Sequence, residues 1–356
     1  MSKPITIIGG GLAGLALGCY LRKNKIPVTL IEAGKYPRHK VCGEFICGVE
    51  DATLEELGIL DLFDDAESVR NIQWYISNKK ILDKPLPLAG TGISRYLLDD
   101  RLHQRFQDLG GVIKYQRIDK TQFLKEPSEN TIWACGKEKH GKGSDKLRWL
   151  GIKMHVTNLE TKGLEMHTGD KSVKGGYLGL SPVENGKVNI CGLFEVNKEL
   201  KGKGSEKLRS YLVSLGLTQL VKRLDKATIV EDSFSAVAGF SLGHQNLLAD
   251  EHQDLFPVGD AALVIPPFTG NGMSMAIEGA LIAGQTILPY CKGETDSDWS
   301  TTVKSYLARL DTKFGTRLFS ARAIHPFFFH PIGRTTLSIL ANLKLIPFRT
   351  LFRLLR

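Results

Sequence analysis

The sequence lacks the patterns that mark several common protein classes. Its six cysteines include no Cys-x-x-Cys pair, so we expect no disulfide framework and a reduced, cytoplasmic protein. No apolar run approaches the roughly 18 residues that a transmembrane helix needs. The nine histidines show no ligand spacing near Cys42 or Cys47, and we therefore predict no metal site.

Acidic residues are absent from residues 312–356, which carry eight lysines and arginines. A basic segment can bind nucleic acid, but these cations alternate with leucine, isoleucine and phenylalanine, so we predict no nucleic-acid partner. The mixture is typical of an amphipathic helix pair that contacts an anionic membrane surface, here the inner face, or a partner. Helices packed on the main body with solvated cations are the alternative. Pro347 should break or kink the helix before it.

The N-terminus has two interpretations. Lys3, the apolar residues 5–18 and Cys19 resemble a lipoprotein signal peptide. The same stretch also has the order strand, turn and helix. Residues 5–8 are apolar and β-branched, as in a strand buried on both faces, and residues 28–31 repeat that composition after a predicted helix over 12–24. We interpret the whole as one βαβ unit of a doubly wound sheet.

A glycine fingerprint lies between the first predicted strand and helix. Gly9, Gly11 and Gly14 have the spacing Gly-x-Gly-x-x-Gly. The first glycine permits a tight turn, the second lets the backbone approach a pyrophosphate, and the third allows the helix to pack closely on the strand. The helix N-terminus at Leu12 and Ala13 offers amides to the phosphates. This spacing predicts a dinucleotide-binding loop.

The next feature of the fingerprint is an acidic residue. Glu32 ends the second predicted strand, near the offset of about 20 residues expected of an acid that binds ribose. A carboxylate here favours an adenosine ribose with a free 2′-hydroxyl over one with a 2′-phosphate. The first half of the motif is therefore compatible with FAD or NAD.

A second motif lies far downstream. Asp260 follows an apolar run, and a Pro/Gly-rich loop over 266–272 leads into a helix predicted through about Ile287. Asp260 can accept a hydrogen bond from a sugar hydroxyl. The helix N-terminus would stabilise the negatively charged N1/O2 edge of a reduced flavin. A plain nicotinamide dehydrogenase has no need of this second clamp, so the pair of motifs favours FAD.

These two motifs and the segment Tyr36 to Glu44 resemble the geranylgeranyl reductase branch of the p-hydroxybenzoate hydroxylase superfamily of FAD-dependent oxidoreductases. The resemblance extends to about residue 290 and is specific to the superfamily, not to a reaction. It implies that the cofactor-binding residues are Gly9, Gly11, Leu12, Ala13, Gly14, Glu32, Arg38, Arg95, Asp260, Gly270, Asn271, Gly272 and Met273, the last four at the isoalloxazine. Arg38 and Cys42 fall in the segment that passes the flavin ring in that branch. Cys42 and Glu44 are the catalytic candidates, although the sequence shows no convincing general acid.

The fold expected is α/β, with a Rossmann-like FAD-binding domain, an interleaved antiparallel-sheet substrate domain and a helical C-terminal segment. Asn185-Gly186 between two extended runs predicts a hairpin in the substrate domain. The predicted ranges are 1–70, 95–152 and 245–290 for the FAD-binding domain, 71–94 and 153–244 for the substrate domain, and 291–356 for the basic helical region. We predict helices over 53–63 and 97–109 and a loop over 137–153.

The reaction has three interpretations. The first is hydride transfer from reduced flavin, with NADH or NADPH as the electron donor, to a C=C bond of an apolar isoprenoid-like or polyketide-like substrate. The second is hydroxylation of an aromatic or polyketide ring by the reduced flavin and oxygen. The third is a non-catalytic dinucleotide-binding or membrane-docking protein. Hydroxylases of the superfamily usually have Asp-Gly where this chain has Cys135-Gly136, which argues against a standard aromatic hydroxylase.

Overall fold

The computed structural model describes residues 2–125, 128–137, 149–169, 175–240 and 254–356. Most of the loop predicted over 137–153 and the start of the segment predicted over 245–290 lie outside these residues. In chain order the strands are β1 Ile5–Ile8, β2 Val28–Glu32, β3 Phe45–Cys47, β4 Glu67–Ile76, β5 Lys79–Gly92, β6 Val112–Tyr115, β7 Thr131–Trp133, β8 Trp149–Thr157, β9 Leu164–Thr168, β10 Gly176–Val183, β11 Lys187–Glu195, β12 Thr228–Ile229, β13 Ser235–Phe240 and β14 Phe256–Pro257. The α-helices are α1 Leu12–Lys23, α2 Asp51–Leu57, α3 Arg95–Asp108, α4 Lys120–Lys125, α5 Gly204–Ser214, α6 Thr218–Leu224, α7 Gly272–Lys292, α8 Trp299–Phe329, α9 Pro331–Asn342 and α10 Phe348–Leu354.

The first sheet is parallel and has the order β14-β7-β1-β2-β6. Ile5 and Ile7 of β1 and Leu30 of β2 are at most 1% exposed, as expected of strands covered on both faces. Helices α1, α3, α7 and α8 contribute to the same apolar core. This sheet confirms the predicted βαβ unit, and it places the ends of β1, β2, β7 and β14 along one edge.

The second sheet has the order β12-β8-β11-β10-β9-β4-β5-β3, with β13 also paired to β8. The Asn185-Gly186 turn joins β10 and β11, and both residues have positive φ, 60° and 66°, as this hairpin prediction requires. β3, the start of β4 and the start of β8 pair in this sheet, although the predicted ranges assigned those residues to the FAD-binding domain. The domain ranges themselves stay a prediction.

Three local predictions need correction. The loop predicted over 137–153 is wrong from Trp149 onwards, because β8 begins there and gains partners in β11 and β13, which lie far away in sequence. The helix predicted over 53–63 ends at Leu57, where Gly58 adopts the left-handed conformation with φ 76°, and a 3-10 turn follows. Helices α5 and α6 were not predicted within the hairpin region.

The two faces of the second sheet differ in composition, because alternate residues of a strand point to opposite sides. Ile152, Leu178 and Ile190 belong to a core beneath α5 and α6, together with Leu208 and Leu212. The opposite face carries the alternate residues, including Lys153, His155 and Asn189, and we call it the inner face. The inner face is the side on which the cofactor-binding loops lie.

The C-terminal region is helical, as predicted, but forms three helices instead of a pair. Helix α8 runs through Pro326, and α9 ends five residues before Pro347, which precedes α10. Among the described residues, no helix is both long and apolar enough to cross a membrane. The fold is therefore α/β, with a Rossmann-like parallel sheet, a largely antiparallel second sheet and a helical C-terminus.

Candidate functional site

The candidate cofactor site lies at the carboxyl edge of the parallel sheet. The fingerprint loop follows β1, Glu32 ends β2, Ala134 follows β7, and Asp260 lies just after β14. These strands are adjacent and parallel, so their carboxyl ends converge. Ligands of open α/β sheets bind in the crevice outside these ends. The fold thus brings together two motifs that are more than 200 residues apart in the chain, and we call this region the cofactor crevice.

The glycines of the fingerprint have two different roles. A Cβ on Gly9 would lie 2.4 Å from the Ala134 carbonyl oxygen, and a Cβ on Gly14 would lie 2.1 Å from that of Gly9. Both positions therefore exclude a side chain because backbone lies against them. A Cβ on Gly11 would meet no atom within 4 Å. Gly11 faces open space, as the predicted approach to a pyrophosphate requires, while Leu12 and Ala13 start the helix with buried side chains.

Glu32 is buried and oriented by the loops beside it. Its Oε2 accepts from the Gly10 amide at 2.7 Å, and its Oε1 accepts from the Gly34 amide and from Arg38 Nη2, each at 2.8 Å. Burial alone would raise the pKa of Glu32, but Arg38 and the two amides outweigh it and lower the pKa. Glu32 is therefore an ionised acceptor, and the structure places Arg38 at this end of the crevice beside Glu32.

The loop before α7 forms the opposite side of the crevice. Gly259 and Gly270 both adopt positive φ, 66° and 67°, and a Cβ on Gly259 would lie 2.7 Å from Ala13. Asp260 is half-exposed, with Lys137 Nζ 3.8 Å from its Oδ2. Asn271 is buried and donates from Nδ2 to the Leu355 carbonyl at 2.5 Å. The predicted residues Gly270 to Met273 thus form the turn and first residues of α7.

The crevice fits a dinucleotide with an attached ring system. Besides Gly11, a Cβ on Gly136 or Gly272 would meet no atom within 4 Å, so the glycines after β1, after β7 and at the start of α7 all border open space. Two helix N-termini, those of α1 and α7, lie at this crevice and favour negative charge. One suits the pyrophosphate and the other suits the flavin N1/O2 edge.

The segment between Cys42 and Cys47 connects the crevice to the second sheet. The Ser274 hydroxyl of α7 accepts from the Cys47 amide at 3.1 Å and donates to the Cys47 carbonyl at 2.8 Å. Phe45 packs against Gly270 so closely that a Cβ there would lie 3.0 Å from its ring. Glu44, which precedes Phe45, has φ 53° and is fully buried. This segment therefore carries Glu44 from the α7 loop to the inner face.

Glu44 is the centre of a buried polar cluster. Its Oε1 accepts from the Arg95 amide at 3.0 Å and lies 3.3 Å from Lys153 Nζ, while its Oε2 lies 2.5 Å from His155 Nε2. Lys153 Nζ also donates to His39 Nδ1 at 2.9 Å. The Arg95 amide is the first of α3, so the helix dipole also favours a carboxylate there. We call Glu44, Lys153, His155 and His39 the polar cluster.

The groups of the polar cluster have altered pKa values. Burial lowers the pKa of Lys153, although the Glu44 carboxylate opposes that shift. Burial, followed by the neighbouring Lys153 and His155, lowers the pKa of His39 to about 4. His39 is therefore a neutral acceptor for Lys153 near pH 7.

A second ionic group supports the first. Asp99 is fully buried and accepts from Arg95 Nε at 2.7 Å and from Lys40 Nζ at 2.7 Å. Burial would raise the pKa of Asp99, but Arg95 and then Lys40 outweigh it and lower the pKa. Burial raises the pKa of the Cys42 thiol, with Arg95 opposing. Arg95 therefore lies between Asp99 and Cys42, and its backbone amide donates to Glu44 of the polar cluster.

An apolar wall adjoins the polar cluster on the inner face. It combines aromatic and aliphatic residues of five strands with one residue of the loop before α7, namely Trp74, Trp149, Met166, Tyr177, Leu193 and Phe268. Leu193 pairs with Gly151, two residues before Lys153 on β8. The wall therefore extends from the α7 loop to the side of Lys153, and an apolar molecule placed on it would lie beside the polar cluster.

Sequence reasoning did not identify Lys153, His155 or Asn189 as site residues. Asn189 pairs with His155 across the strands and donates to the Cys42 carbonyl at 2.9 Å. Its side chain is fully buried, and its Oδ1 has no hydrogen-bond partner within the part of the chain that the structure describes. The available signal was the placement of Lys153 and His155 two residues apart within an apolar strand, which puts both on one face. That signal was lost because the segment up to Lys153 was interpreted as a loop.

Comparisons with known proteins agree with this geometry. A family model described as an NAD(P)-binding Rossmann-like domain matches residues 7–39. The menaquinone reductase of Mycobacterium tuberculosis is 23% identical over 325 residues, which cover 80% of this chain and 76% of that protein.

Solved structures share the fold over nearly the whole chain. The flavin-dependent brominase Bmp2 has a TM-score of 0.72 at 16% identity, covering 100% of this chain and 93% of that protein. A geranylgeranyl bacteriochlorophyll reductase-like protein of Thermoplasma acidophilum has a TM-score of 0.64 at 17% identity, covering 96% and 91%. The comparisons confirm the prediction of an enzyme of the FAD-dependent oxidoreductase type, with a geranylgeranyl reductase-like protein among its structural neighbours.

Proposed function

We propose that the protein is a flavin-dependent reductase that saturates a C=C bond of an apolar, isoprenoid-like substrate, with NADH or NADPH as the electron donor. The observation that carries the proposal is the apolar wall beside the α7 loop, formed by Trp149, Tyr177, Leu193 and Phe268 among others. A wall of this composition suits a hydrocarbon chain because apolar surface gains most from burial. The resemblance to a menaquinone reductase, whose name denotes a lipid-like quinone, supports this substrate class.

The residues of the crevice have distinct roles in this proposal. Bound FAD supplies hydride transfer between donor and substrate. Glu32 accepts from the adenosine ribose, and the open position at Gly11 admits the pyrophosphate at the N-terminus of α1. The loop from Gly270 to Met273 holds the flavin ring, and the wall excludes water from the substrate. The polar cluster provides ionisable groups beside that wall.

The proposal is tested with purified protein. It should be yellow and release FAD on denaturation, and a colourless protein that FAD does not reconstitute would overturn the assignment of the cofactor. After anaerobic photoreduction, an unsaturated isoprenoid quinone should reoxidise the flavin, and its isoprenoid side chain should gain two hydrogens that remain after air has reoxidised the ring to the quinone, as mass spectrometry can detect. A transient hydroperoxide absorbance with oxygen, and a product that gains one oxygen atom, would instead establish the hydroxylation alternative. Protein reduced without substrate is the control.

We further propose that the C-terminal helices contact the inner leaflet of an anionic membrane, and that a lipid-like substrate would be taken up from this membrane. One side of α9, continued just after its end, is apolar and exposed: Ile332 is 72%, Ile339 is 53% and Leu343 is 60% exposed. The opposite side is buried and carries Arg334 and Leu337. The exposed apolar side is accompanied by exposed cations, among them Lys344, Arg349 and Arg353. Apolar residues flanked by cations suit an anionic lipid surface.

Vesicle co-sedimentation tests this contact. The double variant Ile339→Ser, Leu343→Ser should bind vesicles that contain phosphatidylglycerol about tenfold or more weakly, because two apolar side chains no longer enter the lipid. The control is Ile229→Ser, since Ile229 is 47% exposed on β12, outside the helical region. Equal binding by both variants, or equal binding to neutral and anionic vesicles, would contradict the proposal.

A further inference from the structure

Reduction of a C=C bond needs a proton as well as a hydride. The hydride, with its electron pair, adds to one carbon, and a proton must add to the other. In the proposed function the reduced flavin supplies the hydride. Because the wall excludes water from the substrate, the proton must come from an acidic group of the protein beside the wall. Among the described residues, the ionisable groups in or beside the wall include Tyr177, His325 and Cys191 as well as the polar cluster. Burial raises the pKa values of Tyr177 and Cys191, which disfavours loss of their protons, and lowers the pKa of His325 to about 4, which leaves its imidazole uncharged near pH 7.

Lys153 is the member of the polar cluster nearest to the wall along β8. The inner-face residues of that strand are Trp149, Gly151, Lys153 and His155 in order, and Trp149 belongs to the wall. His155 is one step farther from it. Lys153 is fully buried, and its ammonium has three N–H donors, of which two account for its contacts with His39 Nδ1 and Glu44 Oε1. With respect to the residues that the structure describes, one N–H is left for a third acceptor or a proton transfer.

Lys153 is connected towards the protein surface through His39, which is only partly buried. His39 receives the Lys153 N–H through Nδ1, and its ring stacks on Tyr96 with 4.5 Å between the centroids. Tyr96 is 41% exposed. On the other side, Glu44 is held by His155 and by the first amide of α3. Lys153 thus lies between His39 on the outer side and the pair of Glu44 and His155 on the inner side.

We propose that Lys153 is the proton donor of this site, that Glu44 and His155 position its ammonium, and that His39 restores the proton from solvent. The inference rests on the proposed function. In the balanced step, the Lys153 N–H bond breaks as a new C–H bond forms on the substrate, and the lysine is left as a neutral amine. One proton then passes through His39 to that amine, so that each turnover consumes one hydride and one solvent proton.

The surroundings set the expected dependence on pH. The groups that face Lys153 come from four elements. They are His155 on its own strand, His39, Cys42 and Glu44 on the 36–44 loop, Arg95 at the start of α3, and Cys191 on β11. Burial lowers the pKa of Lys153, while Glu44 opposes the shift. Buried lysines with lowered pKa values are suited to proton transfer. Turnover should therefore fall as pH rises through the lowered pKa of Lys153.

Two substitutions separate charge from proton donation. Lys153→Arg keeps the cation beside Glu44 but does not release a proton near neutral pH, whereas Lys153→Met removes both. We expect Lys153→Arg to bind FAD with wild-type affinity and melting temperature, and to lower kcat about 100-fold or more with little change in KM. The control is Lys187→Arg, because Lys187 lies beside Glu184 and outside the polar cluster. If Lys153→Met does not fold, Lys153→Arg alone decides the outcome.

A readout without turnover completes the test. The pKa of Lys153 can be followed by NMR of its Cε in the FAD-loaded protein without substrate. It should lie below the ordinary lysine value and fall further in Glu44→Gln, because the carboxylate that raises it is gone. An unshifted Lys153, or a Lys153→Arg variant with wild-type kcat and pH profile, would overturn the inference. A wild-type protein with the lowered lysine pKa that saturates no isoprenoid quinone would instead contradict the proposed function alone.

Discussion

The cofactor crevice and the polar cluster are neighbours, but the chain builds them in different ways. The crevice uses short consecutive stretches, and its essential features are backbone positions such as Gly9 and Gly14, against which other backbone atoms pack. The polar cluster uses side chains of the 36–44 loop and of β8, together with the first backbone amide of α3, and these groups meet only when the second sheet has formed. The first depends on space and conformation, and the second depends on the balance of buried charge.

This difference predicts different sensitivities. A crevice made of backbone should respond to added volume, because interiors have no room for an extra methyl group where two backbone segments touch. A buried ionic cluster should respond to loss of charge, because an uncompensated buried ion is far more costly than a complete pair. The four predictions below test this contrast, from the largest expected effect to the smallest.

The largest effect is expected for Asp99→Asn. Asp99 is fully buried between Arg95 and Lys40, so an amide would leave two partly buried cations without their carboxylate. The variant should lose about 3–5 kcal/mol of unfolding free energy, which urea titration can measure. The control is Asp225→Asn, which breaks an exposed pair with Arg209 and should leave the urea midpoint unchanged. Equal midpoints for the two variants would contradict the charge-balance interpretation.

The same residue gives a prediction about pH. The folded-state pKa of Asp99 is lowered by Arg95 and Lys40, which outweigh burial. A carboxylate with a lowered folded-state pKa stabilises the protein fully above its unfolded pKa of about 3.9, and that stabilisation is lost as pH falls through the folded-state value. The difference in stability between wild type and Asp99→Asn should therefore be constant above about pH 5 and shrink in acid. A difference that grows on acidification would contradict this assignment.

An intermediate effect is expected in the crevice. A Cβ on Gly14 would lie 2.1 Å from the Gly9 carbonyl oxygen, so Gly14→Ala should cost about 1–3 kcal/mol of unfolding free energy. Gly11 is the matched control, because it has φ −84° and open space around its Cβ position. Gly11→Ala should unfold at the wild-type urea concentration yet bind FAD about tenfold or more weakly, since the methyl group occupies the space proposed for the pyrophosphate. Unchanged FAD affinity in Gly11→Ala would contradict the proposal that the pyrophosphate binds at this position.

The same contrast explains what could be predicted from the sequence. The loop around Gly11 and the acid Glu32 were found because consecutive residues determine a strand, a turn and a helix. The Asn185-Gly186 hairpin was found for the same reason. Lys153 and His155 were missed because their strand, β8, owes its conformation to pairing with β11 and β13, which no local pattern encodes.

The placement of Arg38 adds to what the resemblance between sequences implies. The resemblance places this residue in the segment that passes the flavin ring, and the structure pairs its guanidinium with Glu32, the acid proposed to bind the adenosine ribose. A long, flexible side chain can reach either end of its segment, and the nearest buried carboxylate decides between them. Glu44, in contrast, was identified by its segment alone, and its three partners became visible only in the folded structure.

The smallest effect is expected for Cys42→Ala, although Cys42 lies beside the polar cluster. Burial raises the pKa of the Cys42 thiol above its ordinary value despite the nearby Arg95, so the sulfur stays protonated and unreactive near neutral pH. Asn189, which pairs with His155 across the strands, donates from Nδ2 to the Cys42 backbone carbonyl at 2.9 Å, and the substitution retains that carbonyl. Turnover and FAD affinity should therefore stay within about twofold of wild type, and iodoacetamide should label the native thiol slowly at pH 7.5. Rapid labelling, or a loss of turnover comparable to that of Lys153→Arg, would show that the site also depends on a reactive sulfur and would place Cys42 among its chemical groups.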